Sequence, residues 1–219
     1  PADISNPMAV TNMVEAVIKE VHQIDVLIHN AGNIQDAKAI NMTDEAWHSV
    51  MDVHVNGAFY CISRVLPHLQ ERGGDIILMT STAGLVGSIG QWNYSAAKAA
   101  ILGMLWTLSK ELISSNIRVN AISPAALTDM TEPVIQYIRE KYKKRNEPFP
   151  EYWKVGQPED IAIFISALLE NGNRELTGEV FGVNGRTYTR WEKPSPVHST
   201  DKVDEFFKAY EEEQKVKRC

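Results

Sequence analysis

Tyr94 stands four residues before Lys98 in the stretch QWNYSAAKAA, residues 91–100. Residues four apart on a helix share one face, so a phenol and an ammonium here converge on one site. A free phenol has a pKa of about 10 and is a poor base near neutral pH. A neighbouring ammonium favours the phenolate, which equips tyrosine to exchange a proton with an alcohol or carbonyl oxygen. Ser81, just past an apolar run, supplies a second donor to the same oxygen, and the two hydroxyls together suit a developing oxyanion. The same spacing also occurs as plain packing on small-residue helices, so the surrounding elements have to decide between the two readings.

Short apolar runs alternate with longer helical patterns along the chain. DVLIHN (25–30), DIILMTS (75–81), IRVNAIS (117–123) and EVFGVN (179–184) read as buried strands. Helical periodicity covers 7–22, 44–71, 95–114 and 158–170. Thr43 is placed to cap the second helix, with Asp44 and Glu45 in its first turn, and Pro158 starts the last. Alternating strands and helices predict an α/β fold: a Rossmann-like, doubly wound parallel sheet with helices on both faces. Ligands of such sheets lie beyond the carboxyl ends of the strands, which points to HNAG (29–32), TSTAG (80–84) and SPAALTDM (123–130). Residues 1–190 read as one domain. Residues 191–219 read as an extension in which KPSP (193–196) leads to a charged helix. Its apolar stripe, Val203, Phe206, Phe207 and Tyr210, is expected to dock on the body or on a neighbouring subunit.

A net charge of −6 without a basic block argues against nucleic acid as a partner. No apolar run reaches the length of a membrane span, and no signal peptide stands at the start. Cys61, in an apolar run, and Cys219, the last residue, make no disulfide framework, so a reducing, cytoplasmic setting is expected, with Cys61 buried. No His, Cys and carboxylate cluster has metal-ligand spacing. His29 alone reads as a packed or hydrogen-bonded histidine.

HNAG after a strand, VHVNGAF within a long helix, Ser81, YSAAK, and RVNAISP leading into TDM recur in the order and spacing of one family. In these features the chain resembles the short-chain dehydrogenases/reductases. The resemblance implies an NAD(P)-dependent oxidoreductase acting on a small-molecule alcohol or ketone. It makes Tyr94 the general acid/base and Ser81 the orienting hydroxyl. Lys98 would lower the tyrosine's pKa and hold the nicotinamide ribose. Asn56 matches the asparagine that supports a relay water, with a solvent-facing polar residue as the plain alternative. Asn30, Ala31 and Gly32 match the segment beside the cofactor, with His29 where the family has a first asparagine. Pro124-Ala125 replaces the usual Pro-Gly; Leu127 and Thr128 follow, near the nicotinamide carboxamide. Asp3 and Ile4 would flank the adenine, and Gln91 and Trp92 would line the substrate pocket.

The family's Gly-x-x-x-Gly-x-Gly turn has no counterpart in these 219 residues, since GLVGSIG (84–90) has the wrong spacing and follows the wrong strand. The expectation is therefore that the first two strands of the pattern lie outside this sequence, together with the residue that selects NAD or NADP. The other reading is a naturally short, non-catalytic binding or assembly module. SPAALTDMTEPV, DVHVNGAF and GVNGRTYTRWEKP resemble the (3R)-hydroxyacyl-CoA dehydrogenase branch, which adds a 3-hydroxyacyl or 3-oxoacyl thioester to the candidate substrates. Another ketone or secondary alcohol remains the alternative. By resemblance, helices 44–71 and 95–114 would pair subunits into a homodimer or homotetramer, with Ala96, Ala99, Ala100 and Gly103 allowing close packing.

Overall fold

The structure is a computed structural model that describes residues 1–217, with side chains through residue 213. Asn6 opens the first helix, α1 (Pro7–Val21), by accepting the amides of Met8 and Ala9 at 2.9 and 3.2 Å. Proline at the first helical position has no amide to leave unsatisfied. The chain then runs through β1 (Val26–His29) and α2 (Asp44–Met51), a π turn (Asp52–Asn56), α3 (Gly57–Gln70) and β2 (Gly74–Met79). Next come α4 (Thr82–Val86), α5 (Trp92–Glu111), β3 (Ile117–Ala125), α6 (Glu132–Lys144) and α7 (Pro158–Glu170). β4 (Val180–Asn184), β5 (Thr187–Trp191) and α8 (Val203–Lys217) complete it.

The sheet order is β1-β2-β3-β4-β5, parallel as far as β4, with β5 returning antiparallel. Successive residues of β2 serve opposite faces, as strand geometry requires. Ile76 and Leu78 join α1, α3 and α5 in one core through Val10, Val65, Leu69, Ile101 and Leu105. Ile77 and Met79 join Ile122, Val183 and the α7 residues Ile161, Ile165 and Leu168 in the other. Both faces of β2 and β3 are therefore covered, and the doubly wound α/β arrangement expected from the sequence is present.

Thr43 caps α2 as expected, accepting the Ala46 amide at 3.2 Å. The single helix expected over 44–71 is divided instead by the π turn. The strand expected over 75–81 stops at Met79, which frees Thr80 and Ser81 for the loop and cap that follow. Three elements were not anticipated: the short α4, α6 and β5. α6 carries many charges and buries only Ile135 fully, so little of it is apolar core. β5 is largely exposed along its length and is held by pairing with β4, as in Val180 opposite Trp191. In the tail helix, Val203, Phe206, Phe207 and Tyr210 are exposed and do not dock on the body of their own chain. Cys61 is buried, and burial raises its thiol pKa. Cys219 lies outside the described residues.

Candidate active site

The carboxyl ends of β1, β2 and β3 and the first turns of α5 meet at one edge of the sheet. α5 is fastened there by polar bonds that a hydrophobic pattern does not reveal. Asn93, fully buried, donates to the carbonyls of Gln35 and Ala46 at 2.9 and 3.0 Å and accepts the Tyr94 amide at 2.8 Å. Three segments thus fix the backbone of Tyr94. Thr80 donates to the Lys98 carbonyl at 3.0 Å, and the Lys98 ammonium donates to the Met79 carbonyl at 2.7 Å. A side chain on Gly84 would come within 2.6 Å of the Lys98 backbone, so a bare residue is what lets α4 close on α5.

Ser81 caps α4, its hydroxyl accepting the Ala83 amide at 3.2 Å while facing the phenol of Tyr94. The Lys98 ammonium lies 5.5 Å from the centre of the Tyr94 ring. The three residues first read from the sequence therefore do come together. Their electrostatics differ from the expectation. Burial, not the ammonium, dominates Tyr94 and raises its pKa; the Ser81 hydroxyl lowers it and Asp36 adds to the rise. Lys98 is itself held down to about 8 by burial. In this state Tyr94 is a neutral phenol poised to give a proton.

The structure does not bring the Asn56 side chain to the site. Its side chain is exposed and donates to Asp52 at 2.8 Å, so it is not brought to Tyr94. Two residues earlier in the π turn, His54 faces inward. It is 1% exposed, and its ring meets that of Tyr94 edge-on, with centroids 5.3 Å apart and planes at 85°. Residues two apart on a helical turn point to nearly opposite sides, so one faces the site and the other solvent. π turns recur at functional sites because they redirect such side chains. A buried histidine inside a helical run was the signal available for this residue.

Asn30, Ala31 and Gly32 lie exposed after β1. Gly32 passes so close to His54 that a Cβ there would sit 2.5 Å from Cε1. Pro124 and Ala125 end β3 in extended backbone, so the alanine is unstrained in place of glycine. The Leu127 amide is taken by the Gly156 carbonyl at 2.8 Å, and the Thr128 hydroxyl lies 3.2 Å from that of Thr131. Asp3 folds into a turn by accepting the Ser5 amide and hydroxyl at 2.9 and 2.7 Å. Ile4 packs on Gly57 and the core. At the rim, Gln91 donates to Asp36 at 3.0 Å, and Trp92 meets Trp47 edge-on at 5.4 Å. Among the described residues no group of three or more His, Cys, Asp or Glu could hold a metal ion, and no helix is long and apolar enough to cross a membrane.

His29 and His54 are both held near pKa 4, chiefly by burial and next by the Lys98 charge. Unfolded histidine titrates near 6.5. Between those values the unfolded chain binds more protons, so stability falls as pH drops from about 6.5 towards 4, by about 1.4 kcal/mol per pH unit and ring. Urea unfolding at pH 7 and pH 5 checks this; equal midpoints would contradict it.

A doubly wound sheet with a tyrosine, a serine and a lysine gathered at its carboxyl edge defines a class of α/β proteins that handle a proton beside a bound ligand. Comparisons with known proteins make the assignment specific. A family model described as Enoyl-(Acyl carrier protein) reductase matches residues 1–185. A 3-oxoacyl-[acyl-carrier-protein] reductase of Thermotoga maritima is 37% identical over 178 residues, covering 80% of this chain and 71% of that protein. One from Synechocystis is 36% identical, covering 84% of this chain and 73% of that protein. A crystal structure of a short chain dehydrogenase from Mycobacterium avium superposes with a TM-score of 0.75 at 26% identity, covering 92% of this chain and 65% of that one. The chain belongs to the short-chain dehydrogenase/reductase family.

Proposed function

We propose that the protein is an NAD(P)-dependent oxidoreductase that interconverts a ketone and a secondary alcohol, with a 3-oxoacyl or 3-hydroxyacyl thioester as its substrate. The observation that supports this reading most strongly is the convergence of Tyr94, Ser81 and Lys98 at the carboxyl edge of the sheet. Ser81 and Tyr94 donate to the substrate oxygen, and Tyr94 gives its proton as the oxygen gains charge. A nicotinamide held at this edge would supply the hydride. The residues present suit that end of a dinucleotide. Lys98 is buried with one hydrogen-bond acceptor for its three N–H donors, Asn30–Gly32 lie exposed after β1, and Pro124 and Thr128 are exposed at the end of β3 and just after it.

The thioester reading draws on the named relatives and on the surface. Ile40, Val86, Ile89 and Trp92 are exposed on the loops and helix start around the site, a rim that suits an acyl chain. Arg139, Lys141, Lys143, Lys144 and Arg145 cluster on and just after α6, although the whole chain is acidic. They suit the phosphate of a thioester carrier. Assays with an acyl carrier protein thioester and a coenzyme A thioester, each with NADH and NADPH, test this. Turnover of simple ketones alone would contradict it.

A subunit pair through α3 and α5 follows from the same reading. Ala99 and Gly103 are exposed on α5, with nothing within 4 Å of a Cβ built on Gly103. Phe59 is exposed on α3. Gly103→Glu is expected to give monomers by light scattering, and an unchanged mass would contradict the interface. A cytoplasmic setting is consistent with the buried, unpaired Cys61.

A further inference from the structure

The segment that carries α6 leaves and rejoins the body at one place. The Leu127 amide donates to the Gly156 carbonyl at 2.8 Å, Ala126 bridges Gly156, and the Thr131 hydroxyl donates to the Ala126 carbonyl at 2.8 Å. The segment is therefore rooted at the carboxyl end of β3. On it stand Arg139, Lys141, Lys143, Lys144 and Arg145, five cations with one carboxylate, Glu140, within seven residues of a chain whose net charge is −6. Local helix stability does not account for the cluster. Arg139 and Lys143, and Lys141 and Arg145, are like charges four residues apart, a spacing that costs a helix stability. Among the described residues none of the five makes an ion pair, whereas Lys154 bonds Glu151 and Lys202 bonds Glu205.

Aromatic rings accompany the charges. Tyr137 and Tyr152 are 66% and 70% exposed, and the Arg139 guanidinium lies 5.4 Å from the centre of the Phe149 ring. Tyr137, Lys141 and Lys144 recur at helical spacing on one face of α6. The two kinds of thioester carrier differ in what they bring to such a surface. The arm of a carrier protein ends in a single phosphodiester. Coenzyme A continues through a diphosphate to an adenine nucleotide whose phosphate monoester alone bears close to two charges near neutral pH. Unpaired cations beside exposed rings match phosphates and a stacking base, and five of them exceed what one phosphodiester needs. A protein carrier would instead need a docking face with an apolar core, and the large apolar side chains exposed on α6 are Val134 and Tyr137 alone. At 1.5 Å per residue the cations lie about 10–20 Å along the helix from Thr131, within the reach of the pantetheine arm.

We propose that the cations of α6 bind the diphosphate and 3′-phosphate of coenzyme A, so that free coenzyme A thioesters, and not carrier-protein thioesters, are the substrates. This rests on the thioester reading of the site. It departs from the names of the relatives, which refer to an acyl carrier protein. Lys141 and Lys144 meet the phosphates on the face that carries Tyr137, whose ring offers the adenine a surface. Lys143 and Arg145 add to the field that draws the nucleotide in.

The test uses the intact protein beside a variant combining Lys141→Gln, Lys143→Gln, Lys144→Gln and Arg145→Gln. Arg139 is kept because it packs on Phe149. The changed side chains are exposed, so the fold should survive; Lys141→Gln with Lys144→Gln stands in if the full variant does not fold. Calorimetry with free coenzyme A should show binding weakened about tenfold in the variant, as several modest exposed charge contacts are lost together. Wild-type binding should also weaken as salt rises, and should exceed that of pantetheine, which has no phosphate. In turnover, KM for a coenzyme A thioester should rise about tenfold more than KM for the matching N-acetylcysteamine thioester, which lacks phosphates too. Equal coenzyme A affinity in the folded variant, or wild-type binding no tighter than pantetheine, would overturn the proposal. So would a KM that rises for a carrier-protein thioester and not for the coenzyme A thioester, which would make α6 a protein-docking surface. If the wild-type protein reduces no thioester, the functional reading fails, while coenzyme A binding still judges α6.

Discussion

Tyr94→Phe is expected to lower turnover by about a thousandfold, within the range attributed to general acid–base catalysis, while leaving the fold intact. The structure separates the two roles of the residue. The ring packs edge-on against His54 and beneath the Lys98 ammonium, and phenylalanine keeps both contacts. The backbone is fixed independently through Asn93. Only the hydroxyl is lost, and with it the proton donor that Ser81 cannot replace. Burial raises the phenol's pKa, so the wild-type group is protonated at neutral pH and acts as an acid in the reductive direction. The measurement is kcat beside thermal unfolding. A variant that turns over normally removes Tyr94 from the mechanism. One that melts well below wild type shows a structural role instead.

Arg118→Met is expected to destabilise the protein by about 3–5 kcal/mol, the cost of leaving a buried charge without its partner. Arg118 is among the most buried large side chains in the molecule. Its Nε meets Asp75 at 2.6 Å, while its other nitrogens donate to the carbonyls of Asn171 at 2.6 Å and Leu169 at 3.1 Å. It therefore ties the start of β3 to β2 and to the end of α7. Arg174 reaches the same Asp75 at 3.5 Å but is partly exposed and cannot neutralise it as well. The double variant Arg118→Met with Asp75→Leu should recover much of the loss, because apolar pairs often replace buried ion pairs at little cost. Urea unfolding checks both proteins. A loss below about 1 kcal/mol in the single variant would contradict this account. The cluster lies at the amino ends of the strands, away from Tyr94, so the folded variant should keep its kcat.

The parts of the fold that bury apolar residues in a regular rhythm were legible from sequence. β1 to β4 and the helices α1, α5 and α7 lie close to their expected places. α6 and β5 were not legible, because one is a charged helix with a single buried residue and the other a strand held mainly by its partner. Tyr94, Ser81 and Lys98 come together as the spacing and the family resemblance led one to expect. Asn56 was read by resemblance and not from periodicity; in the structure its side chain faces solvent, while His54, two residues earlier in the π turn, faces inward. Asn93 and Thr80 act through bonds between distant segments, which no local pattern encodes.

The central claim is that this edge of the sheet carries out hydride and proton transfer on a carbonyl substrate. Its most direct test is to mix the intact protein with a reduced nicotinamide cofactor and a 3-oxoacyl thioester and follow the cofactor absorbance. The account predicts a steady loss of absorbance with formation of the 3-hydroxyacyl thioester, and no such loss with Tyr94→Phe. No oxidation with either cofactor and either carrier, or equal rates for the two proteins, would contradict it.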